Sequence, residues 1–200
     1  MTQATIHDIL VAGVGGQGIL LATDILADVF LAAGFDAKKS EVHGMAQRGG
    51  SVESHVRRHT EQVHSPLISP GQADVLLALE PLEAVRYAPM VGRGGRVIYD
   101  TRRLPPLSVS LQTAQYPEDL DTLLRSWELE VVPVPATDMA IAAGNARASN
   151  VVLLGVLSVF MEIDDEVWQH VIARRVPPKA LDVNRRAFVE GQRVTRESTT

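Results

Sequence analysis

The 200-residue chain contains no cysteine. That removes disulfides, thiolate zinc sites, a cysteine nucleophile and any iron–sulfur cluster held by this chain's own thiolates. It also lacks a surplus of positive charge: 19 basic residues stand against 24 acidic ones, a net of −5. No general polyanion-binding footprint is present, so nucleic acid is not an expected partner. A long hydrophobic run is missing too. The longest apolar stretch, Val151–Phe160, is interrupted by Gly155 and Ser158. It falls well short of the roughly twenty residues that a spanning helix needs, and it reads as a buried helix. Met1–Asp8 shows no basic segment leading into an apolar one, so a cytoplasmic protein without a membrane association is expected.

The most informative feature lies near the start. The apolar run Ile9–Ala12 ends in Gly13-Val14-Gly15-Gly16-Gln17-Gly18, and a helical pattern begins at once with Ile19, Ala22, Leu26, Val29, Phe30 and Ala33 on one side. Gly13, Gly15 and Gly18 have the G-x-G-x-x-G spacing of a dinucleotide site in a strand-then-helix context. Glycines allow a sharp turn and close approach of a ligand, and the free N–H groups of a helix start attract anions. The same spacing also suits a tight turn with close helix–sheet packing and no ligand.

Further along, strand patterns at Ile6–Val11, Ala37–Val42, Ser51–Arg57, Val75–Leu79, Arg96–Tyr99 and Glu130–Val134 alternate with helical ones. This implies an α/β fold: a doubly wound, mostly parallel sheet with a Rossmann-like first βαβ unit. The C-terminal segment is helical, with Ala146–Met161, Asp165–Arg174 and Lys179–Arg193, and Thr137-Asp138 offers an N-cap to the helix before them. Residues 1–194 are expected to form one domain and 195–200 a disordered tail. The proline-bearing stretch Arg102–Glu118 has little periodicity.

Ligands in such sheets bind beyond the carboxyl ends of the strands. A second glycine cluster, Gly44-Met45-Ala46-Gln47-Arg48-Gly49-Gly50, follows the second strand. A guanidinium at Arg48, flanked by Gly49 and Gly50, suits a phosphate or carboxylate, although an ordinary ion pair in a wide turn fits as well. The acidic residue that a nicotinamide site wants about twenty positions on has two candidates, Asp36 and Glu41, and neither completes the fingerprint. His43, His55, His59 and His64 lie close in sequence, but Arg57 and Arg58 between them argue against a metal. No self-sufficient catalytic constellation is visible.

Together, Gly13–Gly18 and Glu41-Val42-His43-Gly44-Met45-Ala46-Gln47-Arg48-Gly49-Gly50-Ser51-Val52 resemble the gamma-type domain of 2-oxoacid:ferredoxin oxidoreductases. The Val-His-Gly-Met-Ala-Gln form points to the indolepyruvate branch. The stretch from Ala143-Gly144-Asn145 through Asn150 to Gly155 is also similar, and the resemblance runs from Ile6 to Val194. It implies a heteromeric oxidoreductase that decarboxylates an arylpyruvate to an aryl-acetyl-CoA and passes electrons to ferredoxin. It further implies thiamine diphosphate and iron–sulfur clusters on a larger partner subunit, CoA as co-substrate, and no catalytic residue or metal on this chain. Gly13, Gly15, Gly16, Gln17, Gly18, Arg48, Gly49 and Gly50 are then the candidate binding residues. Two alternatives stand beside this reading: a freestanding NAD- or FAD-type domain, and a purely structural subunit.

Overall fold

Ile9, Leu10, Val11 and Ala12 are all fully buried, so this strand has a core on each face and must lie inside the sheet. In the computed structural model, which describes residues 7–43, 50–106, 109 and 111–198, it does. The strands are β1 (Asp8–Val14), β2 (Asp36–His43), β3 (Ser51–His59), β4 (Ala73–Ala78), β5 (Val91–Asp100) and β6 (Glu130–Val134). They form one sheet in the order β2-β3-β1-β4-β5-β6. β1, β4, β5 and β6 are parallel neighbours, whereas β3 runs antiparallel to both β1 and β2. The sheet is therefore mostly parallel, with one reversed strand.

That reversal has a simple cause. Only residues 44–50 separate β2 from β3. A parallel crossover takes about a dozen residues or more, so the two strands can only form an antiparallel pair. β3 then fills the place beside β1 that β2 would hold in an unbroken βαβ unit. The first unit is split: β2 still runs parallel to β1, but one strand away.

Among the described residues, seven α-helices cover the two faces of the sheet. The helices α1 (Ile19–Ala32), α4 (Ala136–Ala143), α5 (Ser149–Ser158), α6 (Asp165–Arg175) and α7 (Leu181–Ser198) pack with Ile9, Val11, Val75 and Leu77 on one face. Helices α2 (Pro81–Tyr87) and α3 (Leu120–Ser126) lie with Leu10, Ala12, Leu76 and Val97 on the other. The expected amphipathic pattern of α1 holds, with Ile19, Ala22, Leu26, Val29 and Phe30 all buried. The helix stops in a Schellman arrangement: Gly34 has φ +88°, its N–H donates to Leu31 O, and the Phe35 N–H donates to Phe30 O. Helix α7 continues to Ser198, past the expected boundary at Val194, with Thr195 still buried. Among the described residues no helix is long and apolar enough to cross a membrane.

The expected buried helix is α5, where every residue from Val151 to Leu157 is enclosed. A 3-10 turn, Ala146–Ala148, precedes it instead of a continuous helix from Ala146. Helices α5 and α7 meet backbone to backbone. A Cβ at Gly155 would overlap the carbonyl of Phe188, and one at Gly191 would overlap the carbonyl of Val152. Side-chain rotation cannot relieve either clash. Gly155→Ala is thus expected to lower unfolding free energy by about 1–3 kcal/mol, the usual cost of overpacking a tight core. Urea denaturation followed by circular dichroism measures it; an unchanged midpoint would show that the two helices separate without cost.

Candidate functional site

Strand β1 ends against a turn whose backbone only glycine adopts readily. Gly16 and Gly18 have φ of +103° and +83°, both left-handed. Gly13 lies beneath them, where an added Cβ would come within 2.9 Å of Gln17 Oε1 and 3.0 Å of Leu79 Cβ. At Gly18 an added Cβ would sit 2.6 Å from Asn150 Nδ2. The glycines thus serve close packing and sharp turning together.

Three hydrogen-bonded ties fix this turn to separate parts of the chain. The Gly15 N–H donates to Gly50 O at 2.9 Å. Gln17 works as a strut: its Oε1 accepts the Val14 N–H at 2.6 Å, and its Nε2 donates to Leu79 O at 2.6 Å. Asn150 Nδ2 donates to Gly18 O at 3.0 Å from the start of α5. Gly13, Gly15, Gly16, Gln17, Gly18 and Gly50 are therefore neighbours in space, which joins the two sequence motifs. Arg48 and Gly49 lie outside the described residues. Asn150, buried to 1% exposure, was singled out by no sequence argument of its own. A polar amide in the first turn of a helix that is apolar from Val151 to Leu157 is the signal that marks it.

Helices α1, α2 and α4 all begin at the carboxyl edge of the sheet, and their first turns are treated differently. At α2 the buried Glu80 carboxylate accepts the N–H groups of Leu82 and Glu83 at 2.7 and 3.2 Å. Its other oxygen accepts the Leu104 N–H and the Tyr116 hydroxyl at 3.1 and 2.6 Å, which anchors the proline-bearing stretch after β5. At α4 the buried Asp100 accepts from the Thr137 N–H at 3.3 Å and from the Thr137 hydroxyl. Thr137 therefore lies inside the helix, and Asp100 takes the capping role expected of Thr137-Asp138. Burial raises the Asp100 pKa above the ordinary carboxylate range.

Helix α1 has no such partner. Its N-cap is Gly18, its first turn carries no acidic residue, and among the described residues no side chain caps it. Its leading amides, with the positive end of the helix dipole, face a cleft of about 570 Å³ lined by Gly15, Gly16, Gly18, Leu20, Leu21 and Val52, with Ile19 behind. Leu20 remains 49% exposed at the mouth. The chemistry on offer is backbone donation to an anion beside an apolar wall.

Alongside Gly50, a buried network closes the other face. The Ser51 hydroxyl donates to the Glu83 carboxylate, and Ser51 Oγ lies 3.0 Å from the Tyr87 hydroxyl. Burial is the main cause that raises the pKa of Glu83, with the Ser51 hydrogen bond opposing it. No sequence argument singles out Glu80 or Glu83.

Other candidates resolve into structural roles. Asp36 accepts the Val63 N–H at 2.7 Å and Glu41 pairs with Lys39 at 2.9 Å. Because β3 separates β2 from β1, an acid on β2 is displaced by one strand spacing from the place where a ribose would meet it. The His55 Nδ1 accepts the Ile68 N–H at 3.1 Å, and burial lowers its pKa. Among the described residues no three histidine or carboxylate side chains gather as a metal site.

The raised Glu83 pKa has a measurable consequence. A carboxylate whose folded pKa exceeds its unfolded one binds more protons in the folded state, so its contribution to stability falls as pH rises through that window. Glu83→Gln removes the titration. The stability of Glu83→Gln relative to the parent is expected to increase as pH rises from about 4 to 7, read by urea denaturation at each pH. A difference that stays flat would contradict the assignment.

Comparison with known proteins agrees with this arrangement. The sequence matches the pyruvate ferredoxin/flavodoxin oxidoreductase family over residues 8–194. It is 41% identical over 197 residues to indolepyruvate oxidoreductase subunit IorB of Thermococcus kodakarensis, covering 96% of each chain. With the protein of the same name from Archaeoglobus fulgidus it shares 43% identity over 189 residues and 92% of each chain. Among solved structures, the gamma subunit of keto/oxoacid ferredoxin oxidoreductase from Geobacter sulfurreducens superposes with a TM-score of 0.72 at 25% identity, over 96% of this chain and 99% of that one. A 2-oxoglutarate:ferredoxin oxidoreductase from Magnetococcus marinus, holding 2-oxoglutarate, coenzyme A and succinyl-CoA, shares the fold with a TM-score of 0.75 at 22% identity, over 96% of this chain and 31% of that one. With the family matched from β1 into α7 and relatives aligned nearly end to end, this chain belongs to the pyruvate ferredoxin/flavodoxin oxidoreductase family.

Proposed function

We propose that this chain is the gamma-type, non-thiamine-binding subunit of a heteromeric, cytoplasmic indolepyruvate:ferredoxin oxidoreductase. In the overall reaction the arylpyruvate loses CO2, its acyl carbon is transferred to the CoA thiol, and two electrons reduce ferredoxin. The observation that carries this reading is the near end-to-end likeness to proteins named indolepyruvate oxidoreductase subunit IorB. A chain without cysteine supplies no thiolate for an iron–sulfur cluster. We assign the clusters and thiamine diphosphate to a larger partner subunit, where they supply electron transfer and stabilisation of the decarboxylated carbon. We take residues 1–194 as one gamma-type domain.

The role of this chain's own residues is binding and orientation. The uncapped amides of the first turn of α1, with those of Gly16 and Gly18 just before it, take a phosphate of CoA, and Leu20, Leu21 and Val52 offer an apolar wall to its pantetheine arm. Gly13 and Gln17 support the turn from beneath. Arg48 precedes by two residues in the sequence the Gly50 whose carbonyl accepts the Gly15 N–H, and we assign its guanidinium to the same anion on that sequence neighbourhood. Two carboxylates already occupy the starts of α2 and α4, which leaves α1 as the start open to an anion. The split first βαβ unit argues against the freestanding NAD-type alternative.

Reconstitution tests both levels. The chain alone is expected to be inactive with indolepyruvate, CoA and ferredoxin, and to gain activity on joining a thiamine-bearing partner. In that complex, Arg48→Ala is expected to raise KM for CoA about tenfold, the usual worth of a charged hydrogen bond, with a smaller effect on kcat. Gly16→Ala, which strains a left-handed residue, is expected to act in the same direction. Nicotinamide or flavin binding by the isolated chain would overturn the assignment. Assembly and turnover with an unchanged KM for CoA in both variants would leave a purely structural subunit.

A further inference from the structure

We infer that a second cleft, between α4 and α7, is the docking groove for an acidic, amphipathic segment of the partner subunit. It shares no lining residue with the glycine cleft and has a volume of about 720 Å³. Met139, Ala142 and Ala143 of α4 and Val189 of α7 form its apolar floor; Arg185, Arg186 and Arg193 form its rim, together with Gln169 and one carboxylate, Glu190. Val189 is 50% exposed, and Ile141 next to the floor is 56% exposed.

The charges of this groove bear on its occupant. Several arginines elsewhere are answered by carboxylates: Arg57 by Asp8, Arg96 by Glu130, Arg125 by Asp121 and Arg175 by Asp28. Arg193 is likewise paired, with Glu190 and Glu197. Among the described residues no carboxylate answers Arg185 or Arg186. Arg186 instead donates Nε and Nη2 to Ala143 O at 3.3 and 2.9 Å. That bond completes the C-terminal end of α4 and holds the guanidinium in place, with only the partial charge of the helix end to meet it. Two adjacent cations over half-exposed aliphatic side chains, in a chain of net charge −5, have the composition of an interface rather than of an ordinary surface.

The same features select the occupant. Carboxylates meet Arg185 and Arg186, and an apolar side chain seats on Val189 and Met139. A second copy of this chain fits poorly: a two-fold contact through one groove would bring a lining with three arginines and one carboxylate against another of the same net positive charge. This inference rests on the subunit reading above, since it needs a partner chain.

The test uses the assembled complex. Affinity of the wild-type chain and of Arg185→Glu and Val189→Asp for the thiamine-bearing partner is measured at low and high salt. Melting of each isolated chain is followed by circular dichroism. Both variants are expected to keep the wild-type melting temperature and to lose roughly tenfold or more in affinity. Arg185→Glu is also expected to flatten the salt dependence. Wild-type assembly with both variants binding as tightly overturns the groove and leaves the subunit reading intact. A wild-type chain that binds no such partner overturns both. An isolated chain that dimerises through this face, and becomes monomeric in Arg185→Glu, replaces the partner with a second copy and overturns the inference.

Discussion

The site depends on one constraint: the backbone between Val14 and Ile19 is held from three directions. Gly15 is tied to the segment that enters β3, Gln17 to the carbonyl that ends the β4 run, and Asn150 to Gly18 from a helix on one face of the sheet. The ties at the Val14 and Gly15 amides satisfy donors of the turn, and Gly18 O accepts Asn150 in addition to the Ala22 N–H of the helix. The result is a helix start whose position is over-determined although its own amides are left open. A binding element built this way needs little reorganisation when an anion arrives, because the ordering cost was met on folding.

The electrostatics at the carboxyl edge follow from where carboxylates were placed. Glu80 and Asp100 are both buried, and both satisfy helix donors that would otherwise face the interior. Their burial costs solvation, which the hydrogen bonds from Tyr116, Leu104 and Thr137 offset. Helix α1 starts the same way from the same edge, yet glycines stand where the other two helices have an acid. A residue that filled its own helix end would leave nothing for a ligand.

Much of the fold was legible in the sequence because its signals are local. The glycine turn, the buried run Val151–Leu157, the period of α1 and the helix stop at Gly34 each declare themselves within a few residues. The direction of β3 was legible in principle from the short link at 44–50, but strand–helix alternation alone pointed to a parallel unit. What stayed hidden was long-range. Asn150 reaches Gly18 across 132 residues of sequence, and Tyr116 reaches Glu80 across 36. Carboxylates such as Asp100 and Glu83 look like surface residues until the elements around them are placed. Of the candidate site, sequence spacing identified the glycines; only the structure separates those beneath the turn, Gly13 and Gln17, from those that line the cleft.

We propose that the first-turn amides of α1 receive an anionic group of CoA once the partner subunit is in place. Hydrogen–deuterium exchange on the assembled complex, with and without CoA, tests it at the atoms concerned. The account predicts slower exchange over Gly16–Leu21 when CoA is added, with α2 and α4, whose first turns already face carboxylates, unaffected. Exchange over Gly16–Leu21 that is the same with and without CoA would contradict it.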